Sequence, residues 1–131
     1  MRNLDEIKNV QDLEGEALGC ISFGDQYVRF VFNGPQITCF SGPSVQFGAL
    51  TVRFPEPGSR DLFCVLLGQT VISAVLDESR AIVLTFFIGK LQIPLDVVNK
   101  SEGYAASFEV VGTGVTQYFG NTRAGDQPNT E

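Results

Sequence analysis

The sequence has no histidine and no tryptophan, and only three cysteines in 131 residues. The absence of histidine excludes Ser–His and Cys–His catalytic pairs and every zinc site that needs a histidine ligand. Cys20, Cys39 and Cys64 are odd in number, widely spaced and outside any Cys-x-x-Cys pair. Because each has apolar neighbours, we interpret them as reduced core residues of a cytoplasmic protein.

Long apolar runs and positive charge are also scarce. No run reaches the length of a membrane span, and the first residues lack the apolar centre of a signal peptide. We therefore expect a cytoplasmic chain without a membrane partner. Nine basic against fifteen acidic residues give a net charge of −6, which argues against nucleic acid as a partner. The charge suits a basic partner, although solubility is its commoner role.

Glycine and phenylalanine are abundant, with fourteen and eleven residues. This composition is typical of short strands joined by tight turns. The sequence predicts a mostly β (α+β) fold in one domain over residues 1–119. A polar C-terminal tail follows over residues 120–131, and its composition predicts disorder.

Two short helices are predicted, each followed by a glycine. Asn3–Asp12 carries an apolar stripe and ends before Gly15. Arg60–Leu67 follows a Pro-Gly loop, with Ser59 as its expected N-cap, and ends before Gly68.

The remaining apolar segments predict antiparallel strands. Asn33-Gly34 is the most specific hairpin signal in the chain. The predicted strands are Glu16–Phe23, Tyr27–Phe32, Gln36–Phe40, Val45–Phe54 with an interruption near Gly48, Gln69–Leu76, Ala81–Phe87, Leu91–Leu95, Tyr104–Val111 and Val115–Phe119.

The two halves of the chain share a pattern. The segment Leu13-x-Gly15-x-x-Leu18 aligns with Leu66-x-Gly68-x-x-Val71, and the strands that follow align as well. We interpret residues 3–54 and 59–111 as tandem repeats, each a helix followed by an antiparallel meander. Chance similarity of two meanders is the alternative.

Apolar residues occupy both faces of the predicted strand Ala81–Phe87. A half-solvated antiparallel strand would alternate apolar and polar residues. We therefore expect both faces to be buried, which favours a homodimer or higher oligomer. The alternative is that the two halves cover each other in a sandwich or closed barrel.

Four motifs resemble a family of small uncharacterised bacterial proteins with paired β-meanders, and together they span Leu13–Val110. They are Phe23-Gly-Asp-x-Tyr27-Val-x-Phe30, Pro57-Gly-x-Arg60-Asp-x-x-Cys64-x-Leu66-x-Gly68, Leu84-x-Phe86-x-x-Gly89-x-Leu91-x-Ile93 and Gly103-Tyr104-Ala105-Ala106-x-Phe108. The resemblance implies the fold and brings no activity with it.

No catalytic, cofactor or metal motif is present, so we expect a non-enzymatic protein without cofactors. Arg60 and Asp61 open the second helix and are the candidate contacts for an anion or a partner. The favoured alternative is structural: Asp61 caps the helix and compensates its dipole, and Arg60 pairs with a nearby acid. The leading hypothesis is a protein-binding module, immunity-like in neutralising a basic toxin or effector. The alternative is a β domain that binds a small molecule in an apolar cavity.

Overall fold

The computed structural model describes residues 6–77, 80–96 and 103–120. In these ranges the backbone forms short strands, one α-helix and a 3₁₀ helix at Val10–Leu13. The elements are β1 (Leu18–Phe23), β2 (Val28–Phe32), β3 (Pro35–Cys39), β4 (Ser44–Phe47), β5 (Leu50–Arg53), α1 (Ser59–Cys64), β6 (Ser73–Asp77), β7 (Ala81–Thr85), β8 (Lys90–Pro94), β9 (Ala106–Val110) and β10 (Val115–Phe119).

The strands form two antiparallel five-stranded sheets. The first has the order β1-β2-β3-β9-β10 and the second the order β5-β4-β8-β7-β6. The predicted mostly β, sandwich-like fold is confirmed. The barrel alternative is wrong, because the strands form two open sheets with no closed barrel.

Each sheet combines strands from both halves of the chain. The hairpin β4–β5 pairs with β8 of the second half, and the hairpin β9–β10 pairs with β3 of the first. The registers correspond too, since Phe30 lies opposite Ile37 just as Leu84 lies opposite Leu91. The two halves thus have the same strand order. Duplication stays a prediction; the predicted second repeat ends before β10, which is the topological counterpart of β5.

The junction between the halves follows the same pattern. The N–H of Gly15 donates to the carbonyl of Val71 at 2.8 Å, and the N–H of Gly68 donates to the carbonyl of Leu18 at 2.8 Å. Both glycines have φ near +90°, at 92° and 84°, where a side chain would be strained. The aligned Leu-x-Gly segments therefore join the halves directly.

The inner faces of both sheets form one core. Alternate residues of β2 and β7, among them Phe30, Phe32, Ile82 and Leu84, are fully buried. Phe108 of β9 belongs to the same cluster. Burial of these side chains from both sheets is the main apolar contribution to stability.

Both helix predictions need correction. The predicted helix Asn3–Asp12 is not continuous: in its described part Glu6 and the segment Val10–Leu13 are 3₁₀, and residues 7–9 between them are not helical. Asn9 caps the second segment and forms a capping box with Asp12, and Asn3 lies outside the described residues. In the second helix the N-cap is Gly58, at φ +83°, and the expected cap Ser59 is the first helical residue. That helix ends at Cys64, before the predicted Leu67.

The predicted interruption of Val45–Phe54 near Gly48 is confirmed, because a turn there separates β4 from β5. Two further predictions are wrong. Two of the three cysteines, Cys20 and Cys64, are exposed, and only Cys39 is buried. The strand Ala81–Phe87 is fully buried on one face only: on its outer face Ala81 is buried, Val83 and Thr85 are half-buried and Phe87 is exposed. The other sheet covers the inner face, and the exposure of the outer face increases toward Phe87.

Candidate functional site: the apolar end of the second sheet

The β7–β8 turn carries two large apolar residues. The N–H of Phe86 donates to the carbonyl of Gly89 at 2.8 Å, which leaves Phe87-Ile88 as a two-residue loop. Such loops favour residues like Asn-Gly. The corresponding turn of the first half, between β2 and β3, does contain Asn33-Gly34, with Gly34 at φ +106°. Phe87 and Ile88 therefore bring apolar surface that the turn does not require.

Four exposed apolar side chains lie at this end of the second sheet. Phe87 is 87% exposed, and Leu50, Ile72 and Ile88 are also exposed. Strand pairing places them together: the N–H of Ile72 donates to the carbonyl of Thr85 at 2.7 Å, and Leu50 follows the adjacent β4–β5 turn. We call these four residues the apolar end. Exposed apolar residues grouped at one end of a sheet are candidates for an interaction site.

An open cleft separates the two turns of the apolar end. Its volume is about 310 Å³. Gly89 forms part of its wall, and a Cβ at this position would lie 2.7 Å from the carbonyl oxygen of Gln46 and from the Phe47 ring. The lack of a side chain at Gly89 therefore allows β4 to approach the β7–β8 turn. The cleft is lined by Gln46, Gly48, Thr85, Phe86, Phe87, Ile88, Gly89 and Lys90.

The chemistry of the cleft suits contact better than catalysis. Lys90 is the one charged residue in its lining, which contains no carboxylate and no thiol. It therefore offers no acid–base pair. Elsewhere in the described parts of the chain, no group of three or more Asp, Glu, Cys or His side chains is placed to hold a metal ion.

The two residues predicted as an anion or partner contact lie on α1. Arg60 and Asp61 are both exposed. The Arg60 guanidinium lies over the rings of Phe54 and Phe23, at 5.1 and 5.7 Å from their centroids. Cation–π contact with these rings gives Arg60 a structural role. The structure does not bring Arg60 or Asp61 to the apolar end.

A second aromatic cluster lies on the outer side of the first sheet. Tyr27, Phe40, Tyr104 and Tyr118 follow one another with centroid distances of 6.2, 5.6 and 4.8 Å. Arg29 lies over the Tyr27 ring and donates to the Thr38 hydroxyl at 3.1 Å. The rings pack against one another, and the charge beside them is positive. This cluster is therefore unlike the acidic, partly aromatic patch that the hypothesis of a basic partner implies.

The described carboxylates are distributed over several elements. Asp25 lies in the β1–β2 turn, Asp77 ends β6, Asp61 is on α1 and Glu109 is on β9, where it accepts a hydrogen bond from Gln36 at 3.1 Å. Four further described carboxylates, those of Glu6, Asp12, Glu14 and Glu16, lie in the segment before β1.

Cys39 is the buried thiol of β3. Complete burial removes water from around its sulfur and raises the pKa of the Cys39 thiol. Cys39 is therefore protonated and chemically inert at neutral pH.

No helix in the described ranges is long and apolar enough to cross a membrane.

Sequence reasoning missed the apolar end because it placed Phe87 in the most apolar run, Ala81–Phe87, and began the turn only at Ile88. With both faces of that strand expected to be buried, Phe87 was assigned to the core. One signal could have found the apolar end: aligning the two halves places Phe87-Ile88 on Asn33-Gly34, a turn.

Comparison of the chain with protein-family models, curated proteins and solved structures found no match. The resemblance to bacterial paired β-meander proteins therefore stays a prediction.

Proposed function

We propose that this chain is a non-enzymatic protein-binding module whose contact surface is the apolar end. The observation that carries the proposal is the exposure of Phe87 in a turn whose counterpart is Asn33-Gly34. A large apolar residue at such a position contributes little to the fold. It contributes to binding when a partner covers it.

The free energy that a complex gains by burying Phe87 supports an anchoring role for this residue. Full burial of a phenylalanine stabilises a complex by roughly 1.5–3 kcal/mol. Binding energy at protein interfaces is concentrated in a few such residues surrounded by weaker contacts. Phe87 is the most exposed of the four residues, Ile88 follows it in the turn, and Leu50 and Ile72 lie at the two edge strands of the same end of the sheet.

The partner's chemistry follows from the charges. Lys90 borders the cleft, so a partner carboxylate at the edge of the interface would complement it. At longer range the net charge of −6 attracts a basic protein and speeds association. Neutralisation of a basic toxin or effector, as immunity proteins perform it, is the specific case that we propose. It predicts that the association rate falls as salt is added.

The test is partner capture from extracts of the source cell. The full-length chain is immobilised in three forms: wild type, Phe87→Ser and Val111→Ser. Val111 is the matched control, since it is another exposed apolar residue in a hairpin turn. We expect one captured protein to be lost with Phe87→Ser and kept with Val111→Ser. Equal capture by all three forms would refute the role of the apolar end, and an acidic partner would refute the toxin-neutralising version.

The cleft itself favours one second candidate, the binding of a small apolar molecule. A volume of about 310 Å³ is at the lower end for ligand sites, and the cleft is open. This candidate predicts that a small ligand raises the unfolding temperature of the wild-type chain, and that Phe87→Ser abolishes the increase. It differs from the predicted cavity in lying at the surface.

A further inference from the structure

Four strands form the edges of the two sheets, and three of them carry features that hinder pairing with another strand. The β1 register is interrupted between Leu18 and Cys20. In β5, Arg53 places a charge on the edge. The β6 edge is blocked because the Glu14 carboxylate accepts a hydrogen bond from the N–H of Ala74 at 3.2 Å. Bulges, charges and covered N–H groups are the usual protection against edge-to-edge association.

The fourth edge, β10, lacks these features. Val115–Phe119 pairs with β9 in an uninterrupted register. The strand is the last in its sheet, so no described strand pairs with its outer side. The sequence from Val110 to Gly120 contains no charged residue and no proline, although the chain carries 24 charged residues, 9 basic and 15 acidic. Two copies of this segment would meet without charge repulsion.

The hydrogen-bond pattern shows which backbone groups of β10 face outward. The N–H of Val111 donates to Gly34 at 3.2 Å, and the carbonyl of Val110 accepts from Thr113 of the β9–β10 turn at 3.2 Å, so the odd-numbered residues of β9 pair with β3. Ala105, just before β9, bonds to both sides, through its carbonyl to Phe40 and through its N–H to Phe119. Because backbone groups alternate along an antiparallel strand, the even-numbered residues of β9 bond to β10. Their partners in β10 include Gln117. The backbone groups of Thr116 and Tyr118 therefore point to the open edge.

Gln117 adds an independent observation. Its side-chain oxygen Oε1 is buried and has no hydrogen-bond partner. A buried amide oxygen without a donor is costly. On a two-fold axis through Gln117, two antiparallel β10 strands would exchange backbone hydrogen bonds between Thr116 of one copy and Tyr118 of the other. The two Gln117 residues would then form a non-hydrogen-bonded pair, in which Cα atoms lie about 4.5 Å apart and side chains are close.

We propose that a second copy of this chain pairs with the β10 edge, so that the first sheets of two molecules form one continuous sheet. Because Oε1 has no accessible surface in the single chain, the two Gln117 amides rotate toward each other on pairing, and each then donates to the orphaned oxygen of the other. The interface is isologous, as expected for a two-fold dimer. It does not use the apolar end and stands independently of the proposed function.

The first test measures the mass of the full-length chain by sedimentation over a wide range of concentrations. We expect a dimer that dissociates on dilution, and we expect Thr116→Arg to weaken it several-fold by placing like charges diagonally across the axis. Thr51→Arg is the matched control, because Thr51 of β5 is exposed and adjacent to Val52, the counterpart of Gln117. A chain that stays monomeric overturns the proposal and means that something else covers the edge.

The second test determines which residues of the two β10 strands lie opposite each other. In a Cys20→Ser, Cys64→Ser background, Gln117→Cys is compared with Val52→Cys under mild oxidation. We expect a disulfide-linked dimer from Gln117→Cys only, because a non-hydrogen-bonded pair brings the two sulfur atoms within bonding range. A wild-type dimer in which Gln117→Cys fails to cross-link, or in which Val52→Cys cross-links equally, overturns the proposed edge.

Discussion

Phe86 and Phe87 are adjacent in sequence and lie in opposite environments. Phe86 is 2% exposed and belongs to the core, whereas Phe87 is 87% exposed. The two-residue turn causes the difference, because Phe86 closes the turn by its hydrogen bond to Gly89 and Phe87 lies in the loop. Of these two phenylalanines, Phe86 therefore stabilises the core, and Phe87 lies at the surface.

This difference predicts opposite results from truncation. Phe86→Ala should lower the free energy of unfolding by about 3 kcal/mol, through lost burial and a cavity. Phe87→Ser should change it by less than about 0.5 kcal/mol. Urea unfolding followed by circular dichroism measures both. If Phe87→Ser lowered the free energy of unfolding as much as Phe86→Ala, Phe87 would belong to the core and the account would be contradicted.

Burial of the Cys39 thiol predicts how the stability of the protein depends on pH. Its pKa is raised by burial, so the folded state holds the proton when an unfolded chain releases it, at about pH 8.5. Stability should therefore be unaffected below that pH and should fall as the pH rises above it. Cys39→Val should remove this contribution to the loss of stability at alkaline pH. The free energy of unfolding, measured as a function of pH for both forms, tests this. Rapid labelling of Cys39 in the folded chain would show that the thiol is accessible.

At the scale of elements, the turns decide which apolar segments are buried. The β7–β8 turn and the β4–β5 turn are held together by the close approach at Gly89. This approach forms the cleft of the apolar end. The position tolerates no side chain, because a backbone oxygen and an aromatic ring occupy the space.

Gly89→Ala should therefore destabilise the protein by about 1–3 kcal/mol through overpacking. Gly19→Ala is the control, because the nearest atom to a Cβ there is at 3.6 Å, an ordinary contact. Denaturant unfolding compares the two variants. If Gly89→Ala proves as mild as Gly19→Ala, the two turns are not packed as described.

The strands were more predictable than the helices. Val115–Phe119 was predicted with the observed bounds, since apolar residues and flanking glycines defined it. The helix Asn3–Asp12 was not, because an apolar stripe over one short segment cannot compete with local capping at Asn9. The apolar end was not predictable from composition, because only the strand register, or the alignment of the two halves, shows that Phe87 falls in a turn. Arg60 was singled out because it lies at the start of the second helix. Its contacts with the rings of Phe54 and Phe23 could be found only from the tertiary structure.

At the scale of the whole molecule, the two halves complete each other's sheets. The pairings of β3 with β9 and of β8 with β4 connect them through the centre of both sheets. Neither half retains a five-stranded sheet without the other. We therefore expect the two sheets to unfold as one unit. Substitution of Phe87 at the apolar end should change binding without changing stability.

The central claim is that a partner protein contacts Phe87. The most direct measurement replaces Phe87 by a photo-crosslinking phenylalanine analogue in the full-length chain, with the same analogue at Val111 as the control. The account predicts that, in extracts of the source cell, position 87 cross-links to the captured partner and position 111 does not. Cross-linking from position 111 alone, or equally from both positions, would contradict it.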